Sequence, residues 1–302
     1  MKALIPVIFF LVVPLSLFSQ PFKSSGIVTD NVKKPIVAAT ISVPAKNIFY
    51  PTDENGKFSI QSLEIAPSDT IYFSCIGFTT IKLLAGKLNG SGLLIPLEPK
   101  TNQLTEVTIT ASKPALLHVG SKRRSTGIGM ASLPGQERAM FMEGSAKAIG
   151  LINSVSFFLR ENSRLSIGRS IKGDVSAPFR VRIFERDSIT GKPGRELIKD
   201  IILTTASEKD AWHKVDLSAY RIRNPSEGFF VCFSLLNENY YEYFKNKVYR
   251  IGVYQNYGIP YLGISDKEFK KPLSYVLEHY DGNWRIISQR NYLISADIIK
   301  AP

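Results

Sequence analysis

The 302-residue sequence contains only two cysteines and three histidines, and beyond residue 20 it contains no apolar run long enough to span a bilayer. A disulfide scaffold needs several cysteines, so this class of protein is excluded. A membrane-spanning helix takes about 20 apolar residues, so no span is expected after residue 20. Cys75 and Cys232 each lie in an apolar, strand-like run, and we predict that both are buried free thiols.

The sequence also lacks the common catalytic signatures. His118, His213 and His279 occur neither in a His-Glu-x-x-His motif nor in the His-x-x-Glu spacing of a zinc site. There is no Gly-x-Ser-x-Gly elbow and no phosphate-binding P-loop. We therefore predict a protein without enzymatic activity, cofactor or metal. A carboxylate pair for glycoside hydrolysis is defined by spatial proximity, so a hydrolase on the C-terminal half remains as an alternative.

The acidic stretch Asp53-Glu54-Asn55 has too few oxygen ligands at the right spacing for a calcium loop, which needs six or more. Asn55 and Gly56 tolerate positive φ angles, which tight turns require. The stretch therefore predicts a hairpin turn.

Basic residues exceed acidic ones, 38 to 26, giving a formal net charge of +12. The excess is spread along the chain, with one dense cluster at Lys122-Arg123-Arg124. Such a charge suits anionic polymers and acidic glycans, or it only maintains solubility. Nucleic acid is not expected as a partner, because the sequence contains no known nucleic-acid-binding motif. The chain also has the features of an exported protein.

Those features lie in residues 1–20, which predict a secretory signal peptide. Lys2 supplies a positive start, and the run from Ala3 to Leu17 is apolar apart from Ser16. Pro6 and Pro14 interrupt this run, which argues against an uncleaved membrane anchor. We expect an exported protein in the periplasm or on the outer surface of a Gram-negative-type envelope.

Residues 21–110 show short strand patterns punctuated by turns. The run from Asp69 to Cys75 alternates, with Ile71, Phe73 and Cys75 on one face and Thr70, Tyr72 and Ser74 on the other. About seven short strands in this length predict a β-sandwich.

The same region carries four motifs in a fixed order: Gly26-x-Val28-x-Asp30, Pro35 with Ala38-Ala39-Thr40-Ile41, Thr52-Asp53-x-x-Gly56-x-Phe58, and Asp69 to Ser74 with Ile76-Gly77-Phe78. With these motifs it resembles the carboxypeptidase-regulatory-like domain, which is also called the carboxypeptidase D regulatory or transthyretin-like domain. The resemblance implies a seven-stranded β-sandwich that serves as an accessory module without an active site. Members occur on metallocarboxypeptidases and, in Gram-negative envelopes, ahead of TonB-dependent glycan transporters.

Leu104 to Thr110 is similar to the segment that links such modules to transporters, but the residues that follow are too few for a barrel. Transport is therefore not implied. A contact with TonB at this segment, or an edge strand with a linker, are the two alternatives.

Residues 111–133 are rich in Ser, Gly and basic residues and predict a linker. Residues 134–302 predict a second β domain, in which the very apolar run from Glu227 to Leu236 is a central strand. Arg180, Arg182 and Glu185 are expected to point outward from another strand. The stretches Ser154–Leu159, Phe179–Phe184, Thr190–Gly194, Trp212–Ser218 and Gly228–Val231 resemble jelly-roll, carbohydrate-binding-module-like sandwiches.

The most suggestive functional stretch runs from Asn237 to Gly263 and holds seven of the 13 tyrosines, among several amide side chains. Flat aromatic rings with amide neighbours suit sugars and also anchor protein interfaces. The alternative is that these rings pack a core. The residues predicted to bind a ligand are Tyr240, Tyr241, Tyr243, Tyr254 and Tyr257.

The sequence thus predicts an all-β protein with two β-sandwich domains, a transthyretin-like one followed by a jelly-roll-like one. We expect a non-catalytic envelope protein for binding or scaffolding, with a glycan or an envelope protein as its partner.

Overall fold

The computed structural model describes residues 20–300, apart from residues 38, 76, 100–115, 123–128, 145–149, 165–169, 199, 243–248, 252–253, 257, 266–270, 279–281 and 289. Nearly all of the regular structure in this part of the chain is β-strand. The described strands form two sandwiches, which confirms the predicted fold class.

The N-terminal sandwich has seven described strands in two sheets. One sheet has the order β4–β1–β7 and the other the order β3–β2–β5–β6. Strand β1 pairs antiparallel with β4 and parallel with β7. This is the seven-stranded arrangement that the sequence predicts. The strands are β1 (Phe22–Thr29), β2 (Thr40–Val43), β3 (Ile48–Pro51), β4 (Lys57–Ser62), β5 (Thr70–Ser74), β6 (Ile81–Leu84) and β7 (Gly90–Pro96).

The core of this sandwich follows the alternation of its strands. Ile71 and Phe73 of β5 are fully buried between the two sheets, and the Phe73 ring lies 5.5 Å from that of Phe58 in β4. Tyr72 and Ser74 lie on the opposite, outer face of the four-stranded sheet. The predicted alternation of β5 is confirmed, and its outer face is free to meet another part of the chain.

The turn at residues 52–56 does not form a hairpin, because β3 and β4 belong to different sheets. Oδ1 of Asp53 accepts hydrogen bonds from the backbone N–H groups of Asn55 and Lys57, each at 2.8 Å. Gly56 has φ of +69°, and a Cβ there would lie 2.8 Å from the carbonyl oxygen of Val28. The stretch is therefore a tight turn between sheets, with the Asp53 carboxylate engaged by the backbone.

The C-terminal sandwich also consists of two sheets. The first has the order β15–β14–β18–β10–β22–β23, with β16 on β14; the second has the order β13–β12–β9–β21–β11–β25–β8, with β17 on β11 and β24 on β21. The strands are β8 (Leu116–Gly120), β9 (Gly129–Met130), β10 (Glu137–Glu143), β11 (Gly150–Arg160), β12 (Asn162–Arg164), β13 (Ser170–Lys172), β14 (Phe179–Arg186), β15 (Pro193–Glu196), β16 (Ile202–Thr204), β17 (Ala211–Asp216), β18 (Gly228–Ser234), β19 (Tyr249–Ile251), β20 (Tyr254–Asn256), β21 (Tyr261–Ser265), β22 (Ser274–Leu277), β23 (Trp284–Ile286), β24 (Asn291–Tyr292) and β25 (Ile294–Lys300). Strands β19 and β20 form a separate hairpin.

The strands β8, β10, β11, β14, β17, β18, β21, β22 and β25 alternate between the two C-terminal sheets along the chain. One apolar core lies between these sheets and contains residues of both, such as Phe157 of β11 and Phe233 of β18. Strand β18 lies between β14 and β10 and is buried along its whole length. The predicted central strand is thereby confirmed.

The predicted linker at residues 111–133 is wrong in part. Residues Leu116–Gly120 form strand β8, which pairs with β25 at the end of the chain. Nδ1 of His118 lies 2.9 Å from Oδ1 of Asp297, so a side-chain contact reinforces this pairing. Residues 129 and 130 form the short strand β9.

The outer face of the sheet that contains β14 is curled. The rings of Phe184 in β14 and Trp284 in β23 lie 6.0 Å apart, although three strands separate β14 from β23. Strands are spaced about 4.8 Å apart, so a flat sheet could not bring these rings together. Arg180 and Arg182 lie on this concave face and form ion pairs with Glu196. The prediction that Arg180 points into solvent is wrong, because its side chain is buried.

Candidate functional site

The two sandwiches meet where the outer face of the four-stranded N-terminal sheet packs on the C-terminal domain. Neighbouring cross-strand residues on this face are Phe49, Ser42, Tyr72 and Lys82, in that order. Phe49 has 0% of its surface exposed and belongs to the core of the C-terminal sandwich. Ser42 is buried, Tyr72 is half-buried and Lys82 is exposed. The interface is therefore closed at β3 and opens into a cleft at β5 and β6.

The closed end is held by the short helix α1 (Glu238–Glu242) and by Asn237, which precedes it. Oδ1 of Asn237 accepts a hydrogen bond of 3.2 Å from the backbone N–H of Phe49. The side chain of Asn239 is hydrogen-bonded to the hydroxyl of Tyr50, and the hydroxyl of Tyr240 to the side chain of Thr40. Polar contacts from α1 thus join the two domains beside the inserted Phe49 ring.

Two of the five tyrosines predicted to bind a ligand lie in this joint. Tyr240 and Tyr241 are 2% and 1% exposed, and their rings contact each other edge to face at 5.9 Å. The hydroxyl of Tyr241 donates to the carbonyl of Pro178 at 2.6 Å and accepts from the N–H of Leu236 at 3.3 Å. Both rings are therefore almost completely buried, because α1 is packed between the domains.

Burial also affects the chemistry of these two phenols. Loss of hydration raises the pKa of Tyr240 to about 12 and raises the pKa of Tyr241 as well. Of the other predicted tyrosines, Tyr254 lies in strand β20, whereas Tyr243 and Tyr257 fall outside the described residues. Their role in ligand binding stays a prediction.

The open end of the interface holds two adjoining cavities of about 410 Å³ and 300 Å³. We call the two cavities together the interdomain cleft. Their combined volume is in the range of sites that bind small molecules, and such sites are frequent at domain interfaces. Residues that line both cavities are Ser74, Phe78, Thr80, Ile201 and Tyr220. We call the larger cavity, which borders the joint at Thr40 and Tyr240, the inner cavity, and the smaller one, which reaches Tyr72, Lys82 and Asp200, the outer cavity.

The lining of the cleft combines aromatic rings with hydroxyl groups. Tyr220 is 39% exposed and presents its ring from the C-terminal wall, opposite Tyr72 and Phe78 of the N-terminal wall. Burial and, to a lesser degree, the nearby Asp200 carboxylate raise the pKa of Tyr220, so its hydroxyl stays protonated and can donate.

The hydroxyl of Thr204 in the C-terminal wall is held by a side chain behind it. Oγ1 of Thr204 lies 2.7 Å from Nε2 of His213. Burial lowers the pKa of His213, which favours the neutral imidazole at neutral pH. This arrangement fixes the side chain of Thr204, which is one of the residues that line the inner cavity.

The charged groups at the cleft are confined to its outer cavity. Nζ of Lys82 lies 5.1 Å from the centre of the Tyr72 ring, within the range of a cation–π contact. Asp200 lies on the opposite wall and is exposed. The outer cavity therefore presents one cation and one anion to a ligand, whereas the described residues that line the inner cavity are all uncharged.

A second, more polar cavity of about 350 Å³ lies at the other side of α1. Its lining includes Asn47, Tyr50, Glu64, Asn237 and Asn239. The amides and tyrosine that line it also take part in the domain contact, so its first role is structural.

Two kinds of chemical site were considered in the part of the chain that the structure describes, a metal site and the carboxylate pair of a hydrolase. No group of three or more His, Cys, Asp or Glu side chains there is placed to hold a metal ion. Glu137 and Glu196 lie on one sheet face, but both are bound by the guanidinium of Arg182, at 2.6 and 2.8 Å. This pairing makes them part of a salt-bridge network.

The sequence indicated only part of the cleft. The alternation of β5 placed Tyr72 and Ser74 on a face away from the core, which is the signal that identifies one wall. Tyr220, in a short 3-10 helix, and Asp200 carry no local pattern, because they reach the cleft only through tertiary folding.

A family model described as a CarboxypepD_reg-like domain matches residues 24–109. The match covers the N-terminal sandwich and confirms the resemblance seen in the sequence. No curated protein matches the chain.

Proposed function

We propose that the protein is an exported, non-catalytic envelope protein that binds a glycan in the interdomain cleft. The observation that carries this proposal is the lining of the cleft, where the aromatic residues Tyr72, Phe78 and Tyr220 accompany the hydroxyl-bearing residues Ser74 and Thr204. Sugars have apolar C–H faces that contact aromatic rings, and hydroxyls that pair with protein hydroxyls.

The joint at α1 supports a binding role because it fixes the two walls of the cleft relative to each other. Phe49 is inserted into the core of the partner domain, and Tyr240 forms part of the base of the inner cavity. A pre-formed site loses less conformational entropy on binding than one that must be assembled.

Export is inferred from the charged and apolar pattern of residues 1–20. Within the described residues, no helix has both the length and the apolar character that crossing a bilayer requires. The match of residues 24–109 to a CarboxypepD_reg-like domain is consistent with an accessory module. The periplasm or the outer cell surface is the expected location.

The alternative is that the same aromatic surface binds an envelope protein, since tyrosines are also frequent in protein interfaces. The third hypothesis is a hydrolase on the C-terminal sandwich. Binding of the purified protein to a panel of bacterial and plant polysaccharides separates these hypotheses, because a protein partner would leave the glycans unbound and a hydrolase would shorten them.

The site is tested with Tyr220→Ala and Tyr72→Ala in the same assay. Both variants are expected to lose at least about 1 kcal/mol of binding free energy, since each removes a ring in contact with the sugar. Tyr275→Ala is the matched control, because this half-buried tyrosine lies on the concave face of the other domain, against Phe230. Full binding by both cleft variants, or no glycan binding by a folded protein, would refute the proposal.

A further inference from the structure

We infer that the interdomain cleft selects acidic glycans, with Lys82 as the group that recognises a sugar carboxylate. This inference rests on the proposed function, because it concerns which glycan occupies the same cleft. In this inference the outer cavity, with Lys82 and Asp200, holds the acidic sugar, and the inner cavity holds a neighbouring sugar without charge.

Lys82 is positioned for this role by the register of two strands. Tyr72 of β5 and Lys82 of β6 are direct cross-strand partners, so both side chains project from the outer sheet face. The ammonium group lies over the Tyr72 ring, with Nζ 5.1 Å from its centre. In the described part of the chain, no carboxylate lies within ion-pair distance of Lys82. Its charge is therefore oriented by the ring and remains available to a ligand.

Asp200 defines a second feature of the ligand. A carboxylate has no proton to donate and accepts hydrogen bonds from hydroxyls. Asp200 lies on the opposite wall of the outer cavity, so it suits a sugar that directs hydroxyls to one side. A sugar ring with a carboxylate on one edge and hydroxyls on another, as in a uronic acid, satisfies Lys82 and Asp200 together.

The inner cavity suits a neighbouring sugar without charge. Its lining consists of apolar and hydroxyl-bearing residues, among them Leu203, Thr204 and Tyr240. A carboxylate there would meet no cation among the described lining residues. The acidic unit therefore occupies the outer cavity. The net charge of +12 adds a long-range attraction for such a polymer.

The test compares an oligomer of galacturonic acid with its methyl ester, which has the same length and hydroxyls but no charge. The purified protein is expected to bind the acid about tenfold more tightly than the ester, as one charge-assisted hydrogen bond allows. Lys82→Gln is expected to weaken binding of the acid much more than binding of the ester, and so to remove most of this preference. Raised ionic strength should reduce the preference in the unaltered protein, because the outer cavity is open to solvent.

Lys87→Gln is the matched control, since Lys87 is an exposed lysine that follows β6 but does not line the cleft. It should keep the preference for the acid. Equal binding of acid and ester, or a preference that Lys82→Gln leaves undiminished, would overturn this inference while leaving glycan binding in place. If the folded protein binds neither oligomer nor any other glycan, the proposed function fails, and this inference fails with it.

Discussion

The backbone N–H of Phe49 in the N-terminal sandwich donates a hydrogen bond of 3.2 Å to Oδ1 of Asn237 in the C-terminal sandwich. The Phe49 ring is fully buried in the core of that second domain. Its neighbours Ile48 and Tyr50 instead face the N-terminal core. Strand β3 therefore contributes alternate residues to two cores, and this geometry couples the domains.

Replacing Phe49 with alanine should weaken this coupling. Loss of a fully buried phenylalanine costs about 3–5 kcal/mol in unfolding free energy. We expect the two sandwiches of Phe49→Ala to unfold in separate steps by scanning calorimetry. Phe58→Ala is the control, because Phe58 packs only within the N-terminal core. If Phe49→Ala unfolds at the same temperature as the unaltered protein, the ring does not couple the domains.

Removal of the Tyr241 hydroxyl should lower stability without affecting the cleft. In Tyr241→Phe, the carbonyl of Pro178 and the N–H of Leu236 both lose their hydrogen bond to this hydroxyl. Unsatisfied buried polar groups cost about 1–3 kcal/mol, which urea denaturation can measure. Tyr275→Phe serves as the control, since Tyr275 is half-buried. A stability of Tyr241→Phe equal to that of this control would contradict the assignment.

Asp297 should make the stability of the protein depend on pH in the acidic range. Burial raises the pKa of this carboxyl, but hydrogen bonds from Lys214, His118 and Ser154 outweigh burial and hold the pKa below its usual range. A lowered pKa in the folded state stabilises the protein above the unfolded value of about 3.9. This contribution is lost as the pH falls through the folded pKa.

Asp297→Asn should therefore lower the melting temperature at pH 7 and have a smaller effect near pH 3. Because His118 lies on β8, hydrogen exchange should also rise in residues 116–120 of the variant. Asp216→Asn is the control on the neighbouring strand β17. An equal effect of Asp297→Asn at both pH values would show that the charge of the carboxylate is not responsible.

Local patterns in the sequence predicted the elements whose residues alternate between an apolar and a polar face, such as β5. They did not reveal strand β10, which begins with the charged pair Glu137-Arg138. The guanidinium of Arg138 is buried, but it donates hydrogen bonds to Tyr292, Ser132 and Ala131, and these bonds offset the cost of burying its charge. Tyr292 is distant from Arg138 in the sequence, and Ala131 and Ser132 lie in a segment without regular structure, so no local pattern announces these bonds.

The cleft could not be derived from the sequence for a related reason. Tyr72 and Lys82 are linked by a strand register, but Tyr220 and Asp200 face them only because Phe49 and α1 fix the orientation of the domains. The tyrosine-rich stretch from Asn237 to Gly263 was predicted to bind a ligand because of its composition. In the structure, its first two rings, Tyr240 and Tyr241, form part of the joint that shapes the cleft.

Arg182 holds together the charges on the concave face of the C-terminal sandwich. Its Nη1 donates to Oε1 of Glu137 at 2.6 Å, and its Nε and Nη2 donate to Glu196 at 3.0 and 2.8 Å. Glu137 is only 3% exposed. Substitution of Arg182 by methionine keeps much of the apolar volume but leaves this buried carboxylate without its cation.

Arg182→Met should lower the unfolding free energy by about 3–5 kcal/mol, as expected when one partner of a buried ion pair is removed. If the cost comes from the unpaired charge, the double variant Arg182→Met/Glu137→Gln should recover a substantial part of it, because the carboxylate is then replaced by a neutral amide. Urea denaturation of both single variants and the double variant completes the cycle. Additive losses would instead show that Arg182 acts through its packing on the Phe184 ring, whose centre lies 4.7 Å from the guanidinium carbon.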